Sequence, residues 1–212
     1  KCLDHRNTLL RKMNKQRHFD KEGIEPWDVQ LVELGNQIFA TRKKFVDEFI
    51  PSFLAFYEDL GYKKENVSIS YKSHLLEEKF SNLLNENQGK DFALQYTSVG
   101  THRDDLKFLI NNLPIKKFGS QGQQKSFIIA LRLSQYEWIK NHLDLKPILL
   151  LDDIFDKLDK ERVGKLIALV ANNYFGQVLV TDTDKERLQE VLSQLPIKHL
   201  LFNVQDGSVS KN

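Results

Sequence analysis

Residues 148–153 read Ile-Leu-Leu-Leu-Asp-Asp, and this short stretch indicates the fold class. Four consecutive aliphatic residues predict a strand that lies in a parallel sheet and is buried on both faces, because such a strand has no solvated face and needs no alternation. Predicted helices and strands alternate around it, so we expect an α/β fold.

Two acids, Asp152 and Asp153, follow at the point where this strand should reach the surface. Ligands of open α/β sheets bind outside the carboxyl ends of the strands, so an acidic pair there suits a magnesium–nucleotide site. One carboxylate would hold the metal, usually through water, and the other would orient or deprotonate an attacking water. The alternative is a strand followed by an acidic helix cap.

A glycine-containing polar turn precedes the next candidate element. Residues 119–124 read Gly-Ser-Gln-Gly-Gln-Gln and stand directly before a predicted helix over 125–141. The start of a helix offers free backbone N–H groups and the positive end of the helix dipole, and both favour an anion. Gly122 permits a close approach of the backbone, and Ser120 can cap the helix or donate to a phosphate oxygen. The alternative is an ordinary capped helix start.

The composition is that of a globular protein. Of the 212 residues, 41% are hydrophobic and 28% are charged, and the formal net charge of +2 indicates no particular partner. Cys2 is the only cysteine, which fits a reducing cytoplasm. The sequence contains neither an apolar run of membrane-spanning length nor a signal peptide. It begins with Lys rather than Met, so we expect a fragment of a longer protein.

Basic residues are concentrated at the beginning of the chain. Such a run is usually a solvated helix face, but it can also contact the phosphate backbone of a nucleic acid. Between residues 1 and 21 only Asp4 and Asp20 are acidic. The basic residues of this run are Lys1, Arg6, Arg11, Lys12, Lys15, Arg17 and Lys21.

The first 62 residues are predicted to be mainly helical. Residues 18–26 contain Asp, Gly and Pro and should interrupt the helix, and a clearer helix should run from Trp27. Pro51 should kink or end that helix. Apolar residues at helical spacing on both segments predict an antiparallel helix pair or a short bundle.

The remainder alternates between strands and helices. We expect a strand over 67–71, a helix over 75–85, and paired strands over 105–110 and 113–117 with Asn111-Asn112 as their turn. The later elements are predicted as a helix over 125–141, a strand over 148–152, a helix over 160–171, a strand over 177–181, a helix over 185–192 and a hairpin from residue 199 onward.

The order of these motifs resembles that of ABC-type ATPase heads, and in particular that of the RecF family of bacterial recombination mediators. Residues 120–125 resemble the family's variant signature, 149–153 its Walker B strand and 157–159 its D-loop. Residues 100–106, Gly-Thr-His-Arg-Asp-Asp-Leu, are similar to a block usually written GPHRDDL, with Thr101 in place of the proline. The residues that resemble the family's helical arm are 6–10, Trp27, Asp28, Gly35 and Arg42.

The resemblance implies the fold and the domain organisation. It covers essentially the whole chain, and it implies part of a mainly helical arm over 1–66 and the C-terminal lobe of an ABC-ATPase-like (P-loop NTPase) head over 67–212. No stretch fits the phosphate loop G-x-x-x-x-G-K-S/T, which lies in the N-terminal part of the family. We therefore expect the complete protein to be a weak ATPase, and this chain alone to bind neither ATP nor Mg²⁺ and to hydrolyse little or no ATP.

The resemblance also implies residue roles. Asp152 would hold Mg²⁺ through water, and Asp153 would be catalytic by positioning or activating the attacking water. Asp159 of the D-loop would lie at a dimer interface or simply cap the next helix. Thr181 and Asp182 lie where related heads carry a switch histidine. His102 is a candidate substitute, but we expect it to belong to a structural turn. The residues implied to contact the γ-phosphate of ATP bound to the opposite subunit are Ser120, Gln121, Gly122 and Gln123.

The partners implied by the resemblance are nucleic acid and protein. We expect ATP-dependent binding of double-stranded or gapped DNA and of single-strand/double-strand junctions, an ATP-dependent homodimer, and recombination mediators such as RecR. Such a protein would act in the bacterial cytoplasm, away from membranes, and would promote the loading of a recombinase. DNA contacts should be sequence-independent and sensitive to salt. The candidate DNA-binding residues are Lys12, Lys15, Arg17, Arg42, Lys43 and Lys44.

Alternative functions remain at this point. An SMC- or Rad50-like chromosome structural ATPase head would need a long heptad arm, and the helical region here ends too soon for one. A nucleotide-independent interaction module would use the arm helices to bind a protein, and the acidic pair would then be only a cap. A phosphate loop in the complete protein would exclude this last alternative.

Overall fold

A computed structural model describes residues 1–61, 65–152, 158–171, 174–193 and 198–211. The chain divides into two compact units. Unit 1 comprises Lys1–Pro51 and Glu65–Phe118, and unit 2 comprises Ser52–Lys64 and Gly119–Asn212. Residues 65–118 thus group with the N-terminal helices, whereas the expected division at residue 66 between a functional arm and a head remains a prediction.

Helices α1 (Cys2–Gln16) and α2 (Lys21–Asp59) form the N-terminal part of the chain, as predicted. The break between them is shorter than expected, because the Asp20 carboxylate accepts a hydrogen bond from the Gly23 N–H at 3.0 Å and starts α2 before Pro26. Pro51 also lies inside α2, so it does not end the helix.

An antiparallel sheet in the order β1-β2-β3 completes unit 1. Strands β1 (Val67–Lys72) and β2 (Asp105–Ile110) pair along their length, and Asn111 and Asn112 turn the chain into β3 (Leu113–Pro114) with positive φ angles of 47° and 63°. The predicted strand over 113–117 is too long. Pro114 has no N–H with which to continue the ladder, and the chain forms the short helix α5 (Ile115–Phe118) instead.

The segment between β1 and β2 is more broken than the single helix predicted over 75–85. It contains a 3-10 turn (His74–Leu76), α3 (Phe80–Glu86), α4 (Gln88–Leu94) and a second 3-10 turn (Thr101–Arg103). The Ser73 hydroxyl accepts a hydrogen bond from the Leu75 N–H at 3.2 Å and caps the first 3-10 helix, which is only one turn long. Side chains of Phe80, Leu84 and Val99 form an apolar cluster here.

A charged network lies in the core of unit 1. Arg6 is fully buried, with Nε 2.5 Å from Asp28 Oδ1 and Nη1 2.8 Å from Asp91 Oδ2. Nη1 also donates to the Thr97 hydroxyl at 2.9 Å. Burial raises the pKa of the Asp28 carboxyl although Arg6 opposes the shift. The network ties α1 to α2, to α4 and to the loop that follows α4.

Unit 2 contains the predicted alternation of helices and strands. In chain order it consists of α6 (Gln121–Leu143), β4 (Leu149–Leu151), α7 (Lys160–Val170), β5 (Val178–Val180), α8 (Lys185–Ser193) and the hairpin of β6 (Phe202–Gln205) and β7 (Ser208–Lys211). Strands β4 and β5 are parallel, and Leu149 lies opposite Val178. No helix within the described ranges has the length and apolar character needed to cross a membrane.

The core of unit 2 is apolar and aromatic. The Phe53 ring of α2 packs against the Phe127 ring of α6 at an interplanar angle of 52° with the ring centroids 4.6 Å apart, and the Tyr136 ring lies 4.8 Å from that of Phe175. Leu166 of α7 is completely buried. Aromatic pairs of this kind contribute about 0.5–1.5 kcal/mol beyond the area they bury.

Strand β4 departs from the expectation of burial on both faces. Leu149 and Leu151 are buried, but Leu150 is 66% exposed, and the neighbouring Ile148 is 60% exposed. Leu179, the residue opposite Leu150 on β5, is 48% exposed. The two-stranded sheet is covered on one face only within the described residues, because side chains alternate between its faces and the core of unit 2 lies on one side.

Candidate functional site

The strand tip that the sequence singled out is formed jointly by β4 and β5. The Thr181 N–H donates to the Leu151 carbonyl at 3.0 Å, which extends the parallel pairing beyond β5. This brings the Thr181 hydroxyl to Asp152, where it donates a hydrogen bond to Oδ1. The predicted metal ligand and a predicted switch residue are therefore in direct contact, and Asp152 is exposed to solvent.

The predicted catalytic acid, Asp153, lies outside the described residues, as does residue 157 of the D-loop resemblance. Asp159 is described, and it caps α7. Its Oδ1 accepts from the Arg162 N–H at 2.9 Å, and its Oδ2 lies 3.0 Å from Arg162 Nε. The capping role anticipated for Asp159 is thus present, while a role at a dimer interface remains a prediction.

Asp182 organises the turn that leads from β5 into α8. Its Oδ1 accepts from the Asp184 N–H at 2.9 Å, and the Asp184 carbonyl accepts from the Leu188 N–H at 3.2 Å at the start of α8. Asp182 therefore shapes the loop beside Thr181.

The predicted phosphate-binding turn forms a reciprocal cap at the start of α6. The Ser120 hydroxyl accepts from the Gln123 N–H at 3.2 Å, and the Gln123 side-chain oxygen accepts from the Ser120 N–H at 2.8 Å. The Gln124 side chain donates to the Gly119 carbonyl at 2.8 Å. These bonds form a capping box and fix the conformation of the turn.

The strand tip and the helix start line one groove of unit 2. The groove has a volume of about 860 Å³, and Asp152 contributes to its wall together with Gln121, Gln124 and Lys125 of α6. Its apolar lining includes the exposed Leu150. Of the four residues expected to contact the γ-phosphate, only Gln121 is among the described residues that line this groove, so the groove joins Asp152 to one side of α6 rather than to the whole turn.

Residues of α6 that the sequence analysis did not select also line this groove. Lys125 and Arg132 are the basic ones, and Ile128 is an apolar one. Gln121, Lys125, Ile128 and Arg132 recur at intervals of four, three and four residues, so they lie on one face of the helix. That periodicity, applied to a helix beginning at residue 121, could have found them.

Asp152, the acid at the strand tip, is suited to bind a magnesium ion that is also coordinated by a substrate. Within the part of the chain that the structure describes, His, Cys, Asp and Glu side chains form no cluster of three that could hold a metal alone. Mg²⁺ is usually bound by one or two carboxylates together with waters and substrate phosphates. The exposed Asp152 carboxylate, oriented by Thr181, fits that pattern.

The candidate DNA-binding cations fall into two classes. Arg42 pairs with Asp104 at 2.8 Å, Lys43 with Asp47 at 2.7 Å, and Lys44 lies 3.8 Å from Glu48. Lys12, Lys15 and Arg17 are exposed, and no ion pair links them to any described residue. The first class is partly neutralised by its own neighbours, so the second is better suited to an external anion.

Residues 100–106 are fixed in place by hydrogen bonds. Arg42 Nη1 donates to the Thr101 carbonyl at 2.7 Å as well as to Asp104, and the Tyr71 hydroxyl donates to Asp104 Oδ2 at 2.5 Å. His102 Nε2 lies 3.0 Å from the Thr97 carbonyl, and partial burial of the ring lowers the pKa of His102. These contacts are those of the structural turn expected for His102.

No protein-family model matches the chain. Individual proteins, however, match it over nearly its whole length. The chain is 46% identical over 204 residues to the DNA replication and repair protein RecF of Flavobacterium johnsoniae, a match that covers 96% of this chain and 57% of that protein. It is 38% identical over 212 residues to the protein of the same name from Phocaeicola vulgatus, covering 100% of this chain and 56% of that protein.

Solved structures give the same result. One match is the structure of the recombination mediator protein RecF-ATP in the RecFOR pathway, with a TM-score of 0.75 and 27% sequence identity. The match covers 100% of this chain and 56% of that one. A second structure, described as RecF-ATPrS, has a TM-score of 0.73 at 28% identity. The chain therefore spans little more than half the length of the relatives it matches.

Proposed function

Because the chain belongs to the RecF family and corresponds to its C-terminal half, we propose that it is the part of an ATP-dependent DNA replication, recombination and repair protein that carries the metal-binding acids and the signature turn. The observation that best supports this is the strand tip of unit 2, where the Thr181 hydroxyl donates to the exposed Asp152 carboxylate at the end of the parallel strand pair. The complete protein would bind ATP, dimerise in its presence and hydrolyse it slowly.

The groups that grip the β- and γ-phosphates would come from elsewhere in the complete protein. The 212 residues contain no glycine-rich phosphate loop, and the matched relatives are longer than this chain. The exposed apolar side chains Ile148, Leu150 and Leu179 support this division, because a face of this kind is stable in water only when it is covered. The remaining part of the protein would cover it.

Asp152 would act on the metal, and Thr181 would orient it. The Thr181 hydroxyl donates to Oδ1, so the other carboxylate oxygen is available to a metal-bound water. Asp153 would position the attacking water next to it. Bound magnesium would neutralise charge on the phosphates. Aspartate is shorter than the glutamate used in many related heads, and slow hydrolysis is therefore expected.

The start of α6 would contact the γ-phosphate of ATP held by the opposite subunit. The capping bond uses a lone pair of the Ser120 hydroxyl, so its proton remains available for a phosphate oxygen. Among the described residues, no acceptor is bonded to the N–H of Gln121 or Gly122, and these amides lie at the positive end of the helix dipole. Gln123 would hold the turn in shape.

DNA would be the macromolecular ligand. The relatives are named as replication and repair proteins, and a matched structure is described as a recombination mediator. We propose binding to double-stranded DNA and to single-strand/double-strand junctions, with RecR among the protein partners and the bacterial cytoplasm as the location.

The test is Asp153→Asn in the complete protein. ATP binding should be retained, hydrolysis should be lost and the ATP-bound dimer should accumulate, as measured by phosphate release and by light scattering. Asp152→Asn should instead weaken magnesium-dependent ATP binding. Asp144→Asn, which removes the same charge from the exposed end of α6, serves as the control.

The outcomes separate the candidate functions. Unchanged hydrolysis in Asp153→Asn would assign the catalytic role to another carboxylate. A complete protein that binds no ATP would overturn the proposal and favour a nucleotide-independent interaction module.

A further inference from the structure

One aromatic residue of unit 1 is exposed next to a basic side chain for which the described part of the chain supplies no acidic partner. Tyr96 is 39% exposed, and the Arg103 guanidinium carbon lies 5.2 Å from the centroid of its ring. Arg103 is itself exposed, and no described carboxylate pairs with it. Such a cation–π contact aligns the guanidinium over the ring and leaves its N–H groups able to bind an anion.

The residues on either side of Tyr96 are hydrogen-bonded to α1. The Thr97 N–H donates to Asn7 Oδ1 at 2.8 Å, and the Gln95 side chain donates to Asn14 Oδ1 at 3.0 Å. Asn7 and Asn14 are seven residues apart and so lie on one face of α1. That face is therefore held against the loop that carries Tyr96.

The same face of α1 carries a basic residue. Arg11 lies four residues after Asn7 and three before Asn14, so it projects on the same side of the helix. Its side chain is exposed and bonds only the Thr8 hydroxyl, at 3.0 Å, within the described residues. Arg11 thus lies about one turn of helix, or roughly 5 Å, from Asn7, whose side chain bonds Thr97 next to Tyr96.

Two polar clusters hold the loop that presents Tyr96 and Arg103. On one side, the buried Arg6 bonds Thr97, and Asp91 accepts from the Ser98 N–H at 2.8 Å. On the other side, Arg42 bonds the Thr101 carbonyl and Asp104.

Apolar packing reinforces this support at Gly100. Gly100 has a φ of 118° and lies against the Phe80 ring, so close that a Cβ would be 2.5 Å from it. Tyr96 and Arg103 therefore lie on a rigid loop, and binding a ligand there would cost little conformational entropy.

From this arrangement we propose that Arg11, Tyr96 and Arg103 form a DNA-contacting surface, hereafter the Tyr96 surface, at which the arginines bind backbone phosphates and the Tyr96 ring stacks on an unpaired base. The inference rests on the proposed function and deepens it. Arginine matches phosphate with a planar fork of donors, and an aromatic ring stacks on any base that is not already stacked in a duplex. The surface therefore fits a single-strand/double-strand junction better than a continuous duplex.

The experiment measures binding of the complete protein, with ATP, to a fluorescent blunt duplex and to a gapped duplex of the same length. Tyr96→Ala should weaken binding to gapped DNA by about fivefold or more and binding to the blunt duplex much less, since stacking on one base is worth about 1–3 kcal/mol. Tyr96→Phe keeps the ring and should bind both DNAs as the unsubstituted protein does.

Arg103→Gln and Arg11→Gln test the phosphate contacts. Each should weaken binding to both DNAs and lower the slope of log affinity against log salt by about 0.9, the value for one phosphate contact. The matched control is Lys79→Gln, which removes the same charge from an exposed residue beside Glu77 and Glu78 and should leave the slope unchanged. Equal thermal denaturation of all variants confirms that folding is intact.

The possible failures are distinguishable. If the unsubstituted protein binds neither DNA, both the proposed function and the Tyr96 surface are wrong. If it binds and the Tyr96 and Arg103 variants bind equally well, only the Tyr96 surface is wrong. An equal loss on gapped and blunt DNA for Tyr96→Ala would overturn the stacking contact.

Discussion

The two units are stabilised by different kinds of interaction. Unit 1 buries a charged network centred on Arg6 and holds its 97–105 loop through side-chain bonds to Arg6 and Arg42. Unit 2 is built on apolar and aromatic packing around Phe127 and Leu166, yet it leaves Leu150 exposed on its sheet. Unit 1 is centred on buried charges that pair with one another, while unit 2 presents an apolar face to solvent.

This difference suggests different roles for the two units. Buried charges stabilise poorly, but they favour one arrangement of the elements around them, because any other arrangement leaves a charge unpaired. A rigid loop that presents a ligand-binding pair benefits from such specificity. An uncovered apolar sheet face favours association instead, and unit 2 is where we propose that the rest of the protein packs.

The largest effect should follow from breaking the charged network. Arg6→Met leaves Asp91 buried without its partner and should lower the free energy of unfolding by about 3–5 kcal/mol, as measured by urea denaturation. The double variant Arg6→Met/Asp91→Leu removes two of the three charges of the network and should recover only part of that loss, because Asp28 still lacks its partner. If the double variant is as unstable as the single one, the network does not act through charge pairing.

The one-sided sheet of unit 2 gives the next largest effect. Leu151→Ala removes a buried side chain and should cost about 2–5 kcal/mol in the 212-residue chain. Leu150→Ala, at the adjacent exposed position, is the matched control and should change the stability of the same chain by no more than about 0.5 kcal/mol. In the complete protein Leu150→Ala should become distinctly destabilising. A small effect in both would contradict a covered face.

A smaller effect is expected at the helix cap beside the predicted site. Asp159→Ala removes the acceptor for the Arg162 N–H and should cost about 1 kcal/mol, whereas Asp159→Asn retains an acceptor and should cost less. Thermal denaturation of the two variants measures the difference. Equal losses would show that the negative charge, and not the capping bond, is what matters at the start of α7.

The smallest effect concerns pH and belongs to unit 1. Burial, aided by the bond to Asp104, raises the pKa of Tyr71 from 10.0 to about 12. The folded protein therefore holds this proton more tightly than the unfolded chain, so the resulting stability is present below pH 10.0 and is lost as the pH rises through about 12. Tyr71→Phe should show a shallower decline of the denaturation midpoint over that interval. A parallel decline in both proteins would exclude Tyr71 as the source.

Much of the fold could be predicted from the sequence. The RecF-type α/β fold is confirmed, and the predicted order of helices and strands from residue 121 onward is the observed one. These elements are encoded by local patterns: an aliphatic run, apolar residues at helical spacing, and the Asn111-Asn112 turn. The helix predicted over 75–85 is present only from Phe80 onward, as α3, because Ser73 caps a separate 3-10 turn before it.

The candidate site was predicted in part. The sequence identified Asp152 and the turn at Ser120, but it assigned that turn to ATP of the opposite subunit and did not predict that Gln121 and Asp152 line one groove. It did not identify Arg132 on the wall of that groove or the pairing of Lys43 with Asp47, although the periodicity of α6 and the i,i+4 spacing of Lys43 and Asp47 in α2 could have indicated them.

The sequence by itself determined most of the helices and strands, and where the acids and the glycine turn lie along them, because hydrophobic periodicity and turn preferences act over a few neighbouring residues. Only the tertiary structure decided that Arg6 is buried against Asp91, that Arg42 holds the loop at Thr101, and that Leu150 faces solvent. Each of these depends on residues far apart in the chain, and whether a charge is paired or an apolar side chain is covered is fixed only when those distant segments meet.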